Sequence, residues 1–248
     1  MTALKNALVT GANKGIGLET ARRLATIGSK VWLGARDATR GAAAAAALRA
    51  EGLDVEWLEL DVTSDVSVAA AAKTIAAQVP SLDALVNNAG IAPGYVDGLG
   101  PDGRYERPPS RETIADMKAT YDVNVFGPVR VTQSFLPLLL AAPASRVVMV
   151  SSFLGSLARA ASDQSPNVMG YGSSKTALNS ITIAFARELS PLGIMVNAAA
   201  PGYTATDLNA HRGGRTVQQA AGIIVRLATL EAGGPTGGYF DENGPLPW

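Results

Sequence analysis

The sequence predicts an α/β fold with a doubly wound, seven-stranded parallel sheet and helices on both faces. The first observation is that short apolar, β-branched runs alternate with longer helical patterns along the 248 residues, which is the pattern of right-handed βαβ units. The second is that the early runs are apolar throughout, as expected for strands buried on both faces. The third is that no linker divides the chain, so residues 1–248 are expected to form one domain.

Each strand is predicted from a short run of apolar and β-branched residues. In chain order these runs are NALVT (6–10), KVWLG (30–34), VEWLEL (55–60), ALVN (84–87), RVVMVS (146–151), IMVNAA (194–199) and GGYF (237–240). The helical patterns between them cover residues 16–28, 38–51, 65–79, 111–140, 172–190 and 216–231. The second pattern contains the alanine-rich patch GAAAAAALRA, and because alanine is the best helix former we expect a surface helix there.

The composition excludes several classes of function. Lys+Arg and Asp+Glu number 21 each, so no net charge attracts nucleic acid or a membrane surface. The absence of cysteine excludes disulfides, thiolate metal sites and cysteine nucleophiles, and we expect no metal. No stretch reaches the ~18 uncharged apolar residues of a membrane span, and the apolar run in MTALKNALVT is too short for a signal peptide. We therefore expect a soluble cytoplasmic protein without nucleic-acid or membrane partners.

Polar, glycine-rich turns follow four of the predicted strands. These turns are TGANKGIG after the first strand, NNAG after the fourth, SS after the fifth and PGYTAT after the sixth. All lie at the carboxyl ends of strands, where open parallel sheets bind ligands. Three long irregular segments, at about 91–110, 153–170 and 201–215, are expected to form the substrate loops.

The turn TGANKGIG predicts a site for a pyrophosphate. Glycines 11, 15 and 17 permit a tight turn and a close approach of the backbone, and the following helix aims its free N–H groups at the anion. The structural alternative is a plain turn between a strand and a helix. The position after the first strand favours dinucleotide binding, whereas the spacing differs from that of a nucleoside-triphosphate P-loop. We therefore predict a single-domain Rossmann fold.

Two cations predict which dinucleotide binds. Arg36 occupies the end of the second strand, where an acidic residue would bind the ribose hydroxyls of NAD, and Lys14 lies in the glycine turn. Both are placed to approach a 2′-phosphate, so they favour NADPH/NADP+; the alternative is two solvated surface cations. Asp61 and Val62, after the third strand, are placed to meet the adenine, although Asp61 could equally cap a helix.

The reacting end needs a proton donor, because hydride transfer from a nicotinamide to a ketone leaves an oxygen that must be protonated. Tyr171 and Lys175 in YGSSK share one helix face at i and i+4. The ammonium group and the oxidised nicotinamide are expected to lower the phenol pKa from about 10. One of the two serines in SS (151–152) is expected to face the carbonyl. The alternative is a packed tyrosine beside a solvated lysine; His211 is interpreted as a surface residue or a substrate contact.

In order along the chain, TGANKGIG, NNAG, NVFG, SS, YGSSK and PGYTAT resemble the motifs of the short-chain dehydrogenase/reductase family, and the resemblance covers essentially the whole chain. Through TGANKGIG, LGARDATRG and Trp248 the chain is similar to the NADPH-dependent carbonyl reductases of that family. The segment from Ser152 to Tyr171 is longer than the family usually has, and this leaves a monomer or a homodimer undecided.

The resemblance implies a role for each catalytic residue. Tyr171 would be the general acid/base, Lys175 would bind the ribose and depress the tyrosine pKa, and Ser152 would orient the carbonyl. Asn124 would hold a water that links Lys175 to solvent, or it could be a buried helix asparagine bonded to backbone. The residues that would contact the cofactor are Gly11, Asn13, Lys14, Gly15, Ile16, Gly17, Arg36, Asp61, Val62, Asn88, Ala89, Gly90, Tyr171, Lys175, Pro201, Gly202, Thr204 and Thr206. Pro201 and Gly202 could equally form a mere turn.

These residues predict an NADPH-dependent reductase of ketones and aldehydes, an oxidoreductase of the alcohol dehydrogenase/carbonyl reductase type. The three loops combine apolar residues with few charges, so we expect a small-molecule carbonyl substrate that is uncharged and hydrophobic. One alternative is a non-catalytic, NADP-sensing Rossmann protein, and another is a 3-oxoacyl-type reductase of the same family.

Overall fold

The computed structural model describes residues 5–100, 105, 107–162, 166 and 168–248. These residues form one eight-stranded sheet with helices on both faces. Its strands are β1 (Asn6–Thr10), β2 (Lys30–Ala35), β3 (Val55–Glu59), β4 (Ala84–Asn87), β5 (Ser145–Val150), β6 (Ile194–Ala199), β7 (Tyr239–Asp241) and β8 (Gly244–Pro245). The predicted α/β class and parallel sheet are confirmed.

The strand order is β3-β2-β1-β4-β5-β6-β7-β8, and the order reverses between β1 and β4. Strands β1 to β7 pair in parallel, and β8 pairs antiparallel with β7. The prediction of seven strands, all parallel, is therefore wrong in one respect: an eighth strand, β8, lies at the edge of the sheet and is antiparallel. Strand β8 is two residues long and ends in a proline, so it is too short to show any periodicity in the sequence.

Eight α-helices cover the sheet in the described part of the chain. They are α1 (Gly15–Thr26), α2 (Ala38–Ala50), α3 (Asp65–Ala76), α4 (Ile114–Tyr121), α5 (Gly127–Leu140), α6 (Leu157–Ala160), α7 (Met169–Leu189) and α8 (Val217–Ala228). One apolar core, around Leu8, Trp32 and Phe135, lies on one face of the sheet. A second core, around Val9, Leu33 and Ile224, lies on the other face, because successive side chains of a strand point to opposite faces.

The helix predicted over 111–140 is wrong in two respects. It begins only at Ile114, where Thr113 accepts a hydrogen bond from Asp116 N at 3.0 Å and caps it. It is then interrupted by a π-helical turn at Asp122–Phe126, in which Gly127 N donates to Asp122 O. The physical reason is Pro128, which has no N–H to donate to the carbonyl of Asn124 four residues earlier. The turn places Asn124 at the inner side of the sheet's carboxyl edge.

The predicted bounds of β1, β4 and β6 are confirmed at both ends, and the other predicted boundaries differ from the observed ones by at most three residues. Parts of two predicted substrate loops, residues 101–104, 106, 163–165 and 167, lie outside the described residues. No helix in the described ranges is long and apolar enough to cross a membrane. The single-domain assignment stays a prediction.

Candidate active site

A cleft of about 1480 Å³ lies along the carboxyl edge of the parallel strands. It begins at the end of β2, passes the glycine turn after β1, and ends between β5, α7 and the loop after β6. Every residue predicted to bind the cofactor lines it, and so do Ser152, Tyr171 and Lys175. Asn124 does not line it. The convergence predicted from the strand ends is therefore present.

The glycine turn forms an open cradle at the start of α1. Gly11 and Gly15 have φ values of +62° and +59°, in the left-handed region that favours glycine. A Cβ on Gly17 would lie 2.4 Å from Asn88 Nδ2, and one on Gly11 would lie 2.8 Å from Ala89 Cα. The turns after β1 and β4 are therefore in close contact, and Gly15, Ile16 and Gly17 in the first turn of α1 line the cleft. This geometry fits a pyrophosphate.

Asn88 holds these two turns together. Its Nδ2 donates to Thr10 O at 2.9 Å and to Gly11 O at 3.2 Å. Thr10 Oγ1 in turn accepts hydrogen bonds from the backbone N–H groups of Asn88 and Ala89, each at 3.0 Å. The side chain of Asn88 therefore shapes the cradle, and Asn88 also lines the cleft.

The end of β2 carries two arginines. Arg36 is exposed and makes no hydrogen bond or ion pair with the residues that the structure describes, although its charge acts on Asp61. Arg40, which sequence reasoning missed, lines the cleft four residues later in the first turn of α2. Its Nε donates to Asp37 Oδ2 at 2.9 Å, and Asp37 also caps α2. A second arginine close behind the end of β2, in the first turn of the helix that follows, was the signal that could have revealed it.

Lys14 lies in the glycine turn but has a partner other than the predicted phosphate. Its Nζ forms an ion pair with Asp207, and His211 Nε2 lies 2.8 Å from the other carboxylate oxygen. The hydrogen bond from Lys14 is the largest of the effects that lower the pKa of Asp207. All three side chains are at least half exposed. The loop after β6 is therefore tied to the glycine turn across the mouth of the cleft.

Asp61 and Val62 lie after β3, as predicted, and line the cleft. Burial raises the pKa of Asp61, but hydrogen bonds from Thr63 and the charges of two arginines outweigh it and hold the pKa below its usual range. Thr63 donates to Asp61 Oδ1 from its backbone N at 2.9 Å and from its hydroxyl at 2.7 Å. Ser64, rather than Asp61, caps α3. Asp61 therefore organises the turn that carries Val62.

The two serines after β5 point in different directions. Ser151 is buried, and its hydroxyl donates to Asn179 Oδ1 at 2.6 Å. Ser152 begins a tight turn at Phe153–Gly155, and its hydroxyl is hydrogen-bonded to Tyr171. Strand alternation limited the choice to one serine, and the structure directs Ser152 into the cleft.

Tyr171 and Lys175 lie on one face of α7, as predicted. Lys175 Nζ is 5.5 Å from the Tyr171 ring centroid and donates to Val150 O at 2.8 Å. Burial raises the pKa of Tyr171 to about 12, and the hydrogen bond with Ser152 partly opposes this. Burial also lowers the pKa of Lys175 to about 8. At neutral pH the phenol therefore keeps its proton and the amine is mostly charged. That Lys175 and an oxidised nicotinamide together lower the pKa of Tyr171 stays a prediction.

Asn124 is fully buried and uses its side chain on the protein itself. Its Oδ1 accepts from Ile91 N at 2.9 Å, and its Nδ2 donates to Ile91 O at 2.9 Å and to Ser174 Oγ at 3.1 Å. Ser174 in turn donates to Tyr171 O at 2.7 Å. The side chain thus corresponds to the alternative of a buried asparagine bonded to backbone, and it joins the turn after β4 to α7. Its predicted role in holding a water stays a prediction.

The turn after β6 closes the inner side of the cleft. Gly202 has a φ of +81°, and the buried Thr204 donates to Gly202 O at 3.2 Å. Asn209 Oδ1 accepts from Thr206 N at 3.2 Å, and its Nδ2 donates to Thr204 O at 2.9 Å. The segment predicted to hold the nicotinamide is therefore an ordered turn that lines the cleft.

Three tyrosines form a wall at the end of the cleft beside Tyr171. Tyr95 stacks on Tyr105 with ring centroids 5.3 Å apart, and it hydrogen-bonds Tyr203 in the loop after β6. Burial raises the pKa of Tyr95, and the hydrogen bond with Tyr203 acts in the same direction. Tyr105 was missed because it is a single aromatic in a loop without periodicity. Its stacking partner becomes visible only in the fold.

Comparisons with known proteins agree with this geometry. Residues 5–215 match the family model described as short chain dehydrogenase. The chain is 33% identical to short-chain dehydrogenase/reductase 1 of Saponaria officinalis, with 98% of this chain and 95% of that protein covered. It is 33% identical to (−)-isopiperitenone reductase of Mentha piperita, with 97% of each covered.

Among solved structures, the fold is similar to that of the NADPH-bound carbonyl reductase from chicken fatty liver. The TM-score is 0.85 at 27% identity, and the match covers 99% of each chain. The similarity thus extends over both the sequence and the fold. The chain belongs to the short-chain dehydrogenase/reductase family, a family of oxidoreductases, as its motifs predicted.

Proposed function

We propose that this protein is an NADPH-dependent reductase of uncharged ketones and aldehydes. The observation that carries the proposal is the alignment of Ser152, Tyr171 and Lys175 at the inner end of a cleft whose outer end carries a glycine cradle and two arginines. The glycine turn lines the cleft at the start of α1, where a pyrophosphate would bind, and Arg36 and Arg40 offer guanidinium groups for a 2′-phosphate. The relative of known structure that contains NADPH agrees with this cofactor.

Ser152, Tyr171 and Lys175 would each have a separate role in the reaction. When bound, NADPH supplies the hydride. The hydroxyl of Ser152 would donate to the carbonyl oxygen and orient it, and the neutral phenol of Tyr171 would transfer its proton to that oxygen. Lys175 would stabilise the phenolate that results and hold the nicotinamide ribose. Because burial raises the pKa of Tyr171, the phenol keeps its proton at neutral pH, and the acid form that ketone reduction needs is present.

The substrate class follows from the lining of the reacting end. Ile91, Tyr95, Phe153, Leu154 and Leu208 line it with apolar surface. The charged side chains that line the cleft in the described residues lie on the side of the glycine turn, β2 and β3, apart from Lys175 and the Asp207–His211 pair. Such a site favours an uncharged, hydrophobic carbonyl compound, since a buried charge without a partner is costly. The named activity of the Mentha relative is also a reductase activity.

A panel of carbonyl compounds tests the proposal. NADPH oxidation would be followed with uncharged cyclic ketones, aldehydes and quinones, and with 3-oxo esters and thioesters for the 3-oxoacyl alternative. Each neutral compound would be matched with a carboxylate-bearing analogue of similar size. We expect the neutral member of each pair to have the higher kcat/KM. Preference for the charged members would contradict the substrate class, and turnover confined to 3-oxo thioesters would favour the 3-oxoacyl alternative.

The non-catalytic alternative makes a different prediction in the same assay. A sensor would bind NADPH in a titration yet oxidise it with no member of the panel. The presence of Ser152, Tyr171 and Lys175 together in the cleft supports an enzyme instead. The predicted cytoplasmic location and the choice between monomer and homodimer stay predictions.

Replacing Asp207 by asparagine should strengthen NADPH binding. The carboxylate pairs with Lys14 and so competes with a phosphate for the same ammonium group. Because exposed ion pairs are worth up to ~1 kcal/mol, we expect the Kd of NADPH to fall about two- to fivefold. Fluorescence titration at low and high salt would measure it, with the exposed Asp54→Asn as the matched control. Weaker binding in D207N would show that the ion pair closes the loop over the cofactor rather than competing with it.

A further inference from the structure

We propose that Tyr239 on β7 is a positioning residue for Ser152, and that the segment Leu246–Trp248 holds Tyr239 in place. The inference rests on the proposed function, because it is there that Ser152 receives its role at the carbonyl. Tyr239 does not line the cleft. It would therefore act on the reaction indirectly, through Ser152.

The contact between Tyr239 and Ser152 is direct. Tyr239 is 2% exposed, and its hydroxyl donates to the backbone carbonyl of Ser152. The side chain of the same serine is hydrogen-bonded to Tyr171. Tyr239 thus fixes the backbone of Ser152, while the hydroxyl of Ser152 is hydrogen-bonded to Tyr171.

Asn179 on α7 extends this support to the whole turn after β5. Its Oδ1 accepts from Ser151 Oγ at 2.6 Å, and its Nδ2 donates to Gly155 O at 3.1 Å. The hydroxyl of Tyr239 is also hydrogen-bonded to the side chain of Asn179. The residues on both sides of Ser152 are therefore tied to α7, the helix that carries Tyr171 and Lys175.

The segment 246–248 contacts Tyr239 through both its ring and its backbone. The Trp248 ring stacks on the Tyr239 ring with centroids 5.3 Å apart and an interplanar angle of 18°. Leu246 N donates to Tyr239 O at 2.7 Å, and Trp248 O accepts from Ala158 N at 3.0 Å. Ser156 Oγ donates to Pro247 O at 2.8 Å. The segment thus connects β7 to the 153–162 part of the substrate loop, and its own residues do not line the cleft.

Removing one hydroxyl should loosen this support without removing the ring. In Tyr239→Phe the stacking on Trp248 is kept, but the buried carbonyl of Ser152 loses its donor. A displacement of a catalytic group by about 1 Å can cost up to ~10²-fold in rate. A looser Ser152 also hydrogen-bonds Tyr171 less well, and that bond favours the phenolate. Tyr239→Phe should therefore both slow turnover and raise the pH at which Tyr171 acts as a base.

The test is a double-mutant cycle of Tyr239→Phe and Ser152→Ala. We expect Y239F to lower kcat for ketone reduction by about tenfold while the Kd of NADPH stays within about twofold. In the S152A background, Y239F should cause no further loss, because the group that it positions is already gone. The pH profile of alcohol oxidation by Y239F should shift to higher pH. Tyr121→Phe, a tyrosine outside the cleft, is the matched control.

Each of the other outcomes would reject either the positioning role of Tyr239 or the proposed function itself. An equal loss in both backgrounds, or wild-type kcat in Y239F, would overturn the positioning role while leaving the proposed function intact. If Y239F does not fold, Trp248→Leu is the second variant, because it removes the ring that stacks on Tyr239. It should also lower kcat, and it should do so only in the protein that keeps Ser152. If the wild-type protein reduced none of the carbonyl compounds at the expense of NADPH, the proposed function would be rejected, and the positioning role with it.

Discussion

Replacing Tyr171 by phenylalanine should lower the turnover of ketone reduction by about 10²–10⁴-fold, the range that a positioned general acid contributes. The ring and its packing remain, so the Kd of NADPH should stay within about twofold of wild type, as expected of an interaction made only in the transition state. The phenol is the proton donor best placed beside Ser152 among the described residues that line the cleft. Steady-state NADPH oxidation and a fluorescence titration of NADPH measure the two quantities.

The control for this variant is Tyr121→Phe, which removes a hydroxyl from α4 outside the cleft. It should leave both turnover and NADPH affinity unchanged. Turnover by Y171F equal to that of wild type would reject the mechanism. An equally large loss of NADPH affinity would mean that the substitution had disturbed the cleft rather than the proton transfer.

Replacing Arg36 by aspartate should shift the ratio of kcat/KM for NADPH to that for NADH by about 10²-fold toward NADH. A hydrogen bond to a charged group contributes about 1.5–3 kcal/mol, which corresponds to about 10–10²-fold, and repulsion between Asp and the 2′-phosphate adds to the loss. Arg36 is exposed at the end of β2 without an ion-pair partner in the described chain, so its loss leaves no buried charge behind. An acidic residue at this position also suits the ribose hydroxyls of NAD.

The matched control is Arg187→Asp, the same change of charge at an exposed position in the last turn of α7. It should lower kcat/KM with both cofactors equally or not at all. An unchanged cofactor ratio in R36D would show that Arg36 does not meet the 2′-phosphate. Arg40 would then be the arginine to test next, because it lines the same end of the cleft.

The sequence by itself determined the parallel sheet and the sheet edge along which the cleft lies. Hydrophobic runs that alternate with helical patterns specify βαβ units, and in such units every strand end that precedes a helix lies at the same edge of the sheet. The glycine turn, Arg36, Tyr171 and Lys175 could therefore be placed near one another from their positions relative to the strands. Their spacing is local, and local spacing is what a sequence displays.

Only the tertiary structure decided which partner each group takes. Lys14 pairs with Asp207, 193 residues away, and Tyr239 supports Ser152 across 87 residues. Neither contact leaves a periodic pattern, and a two-residue antiparallel strand such as β8 leaves none either. The direction of the Tyr171 pKa shift was likewise inaccessible, because desolvation depends on the walls of the cleft rather than on the neighbouring lysine. Interactions between distant residues and the burial of a charge arise only when the chain has folded.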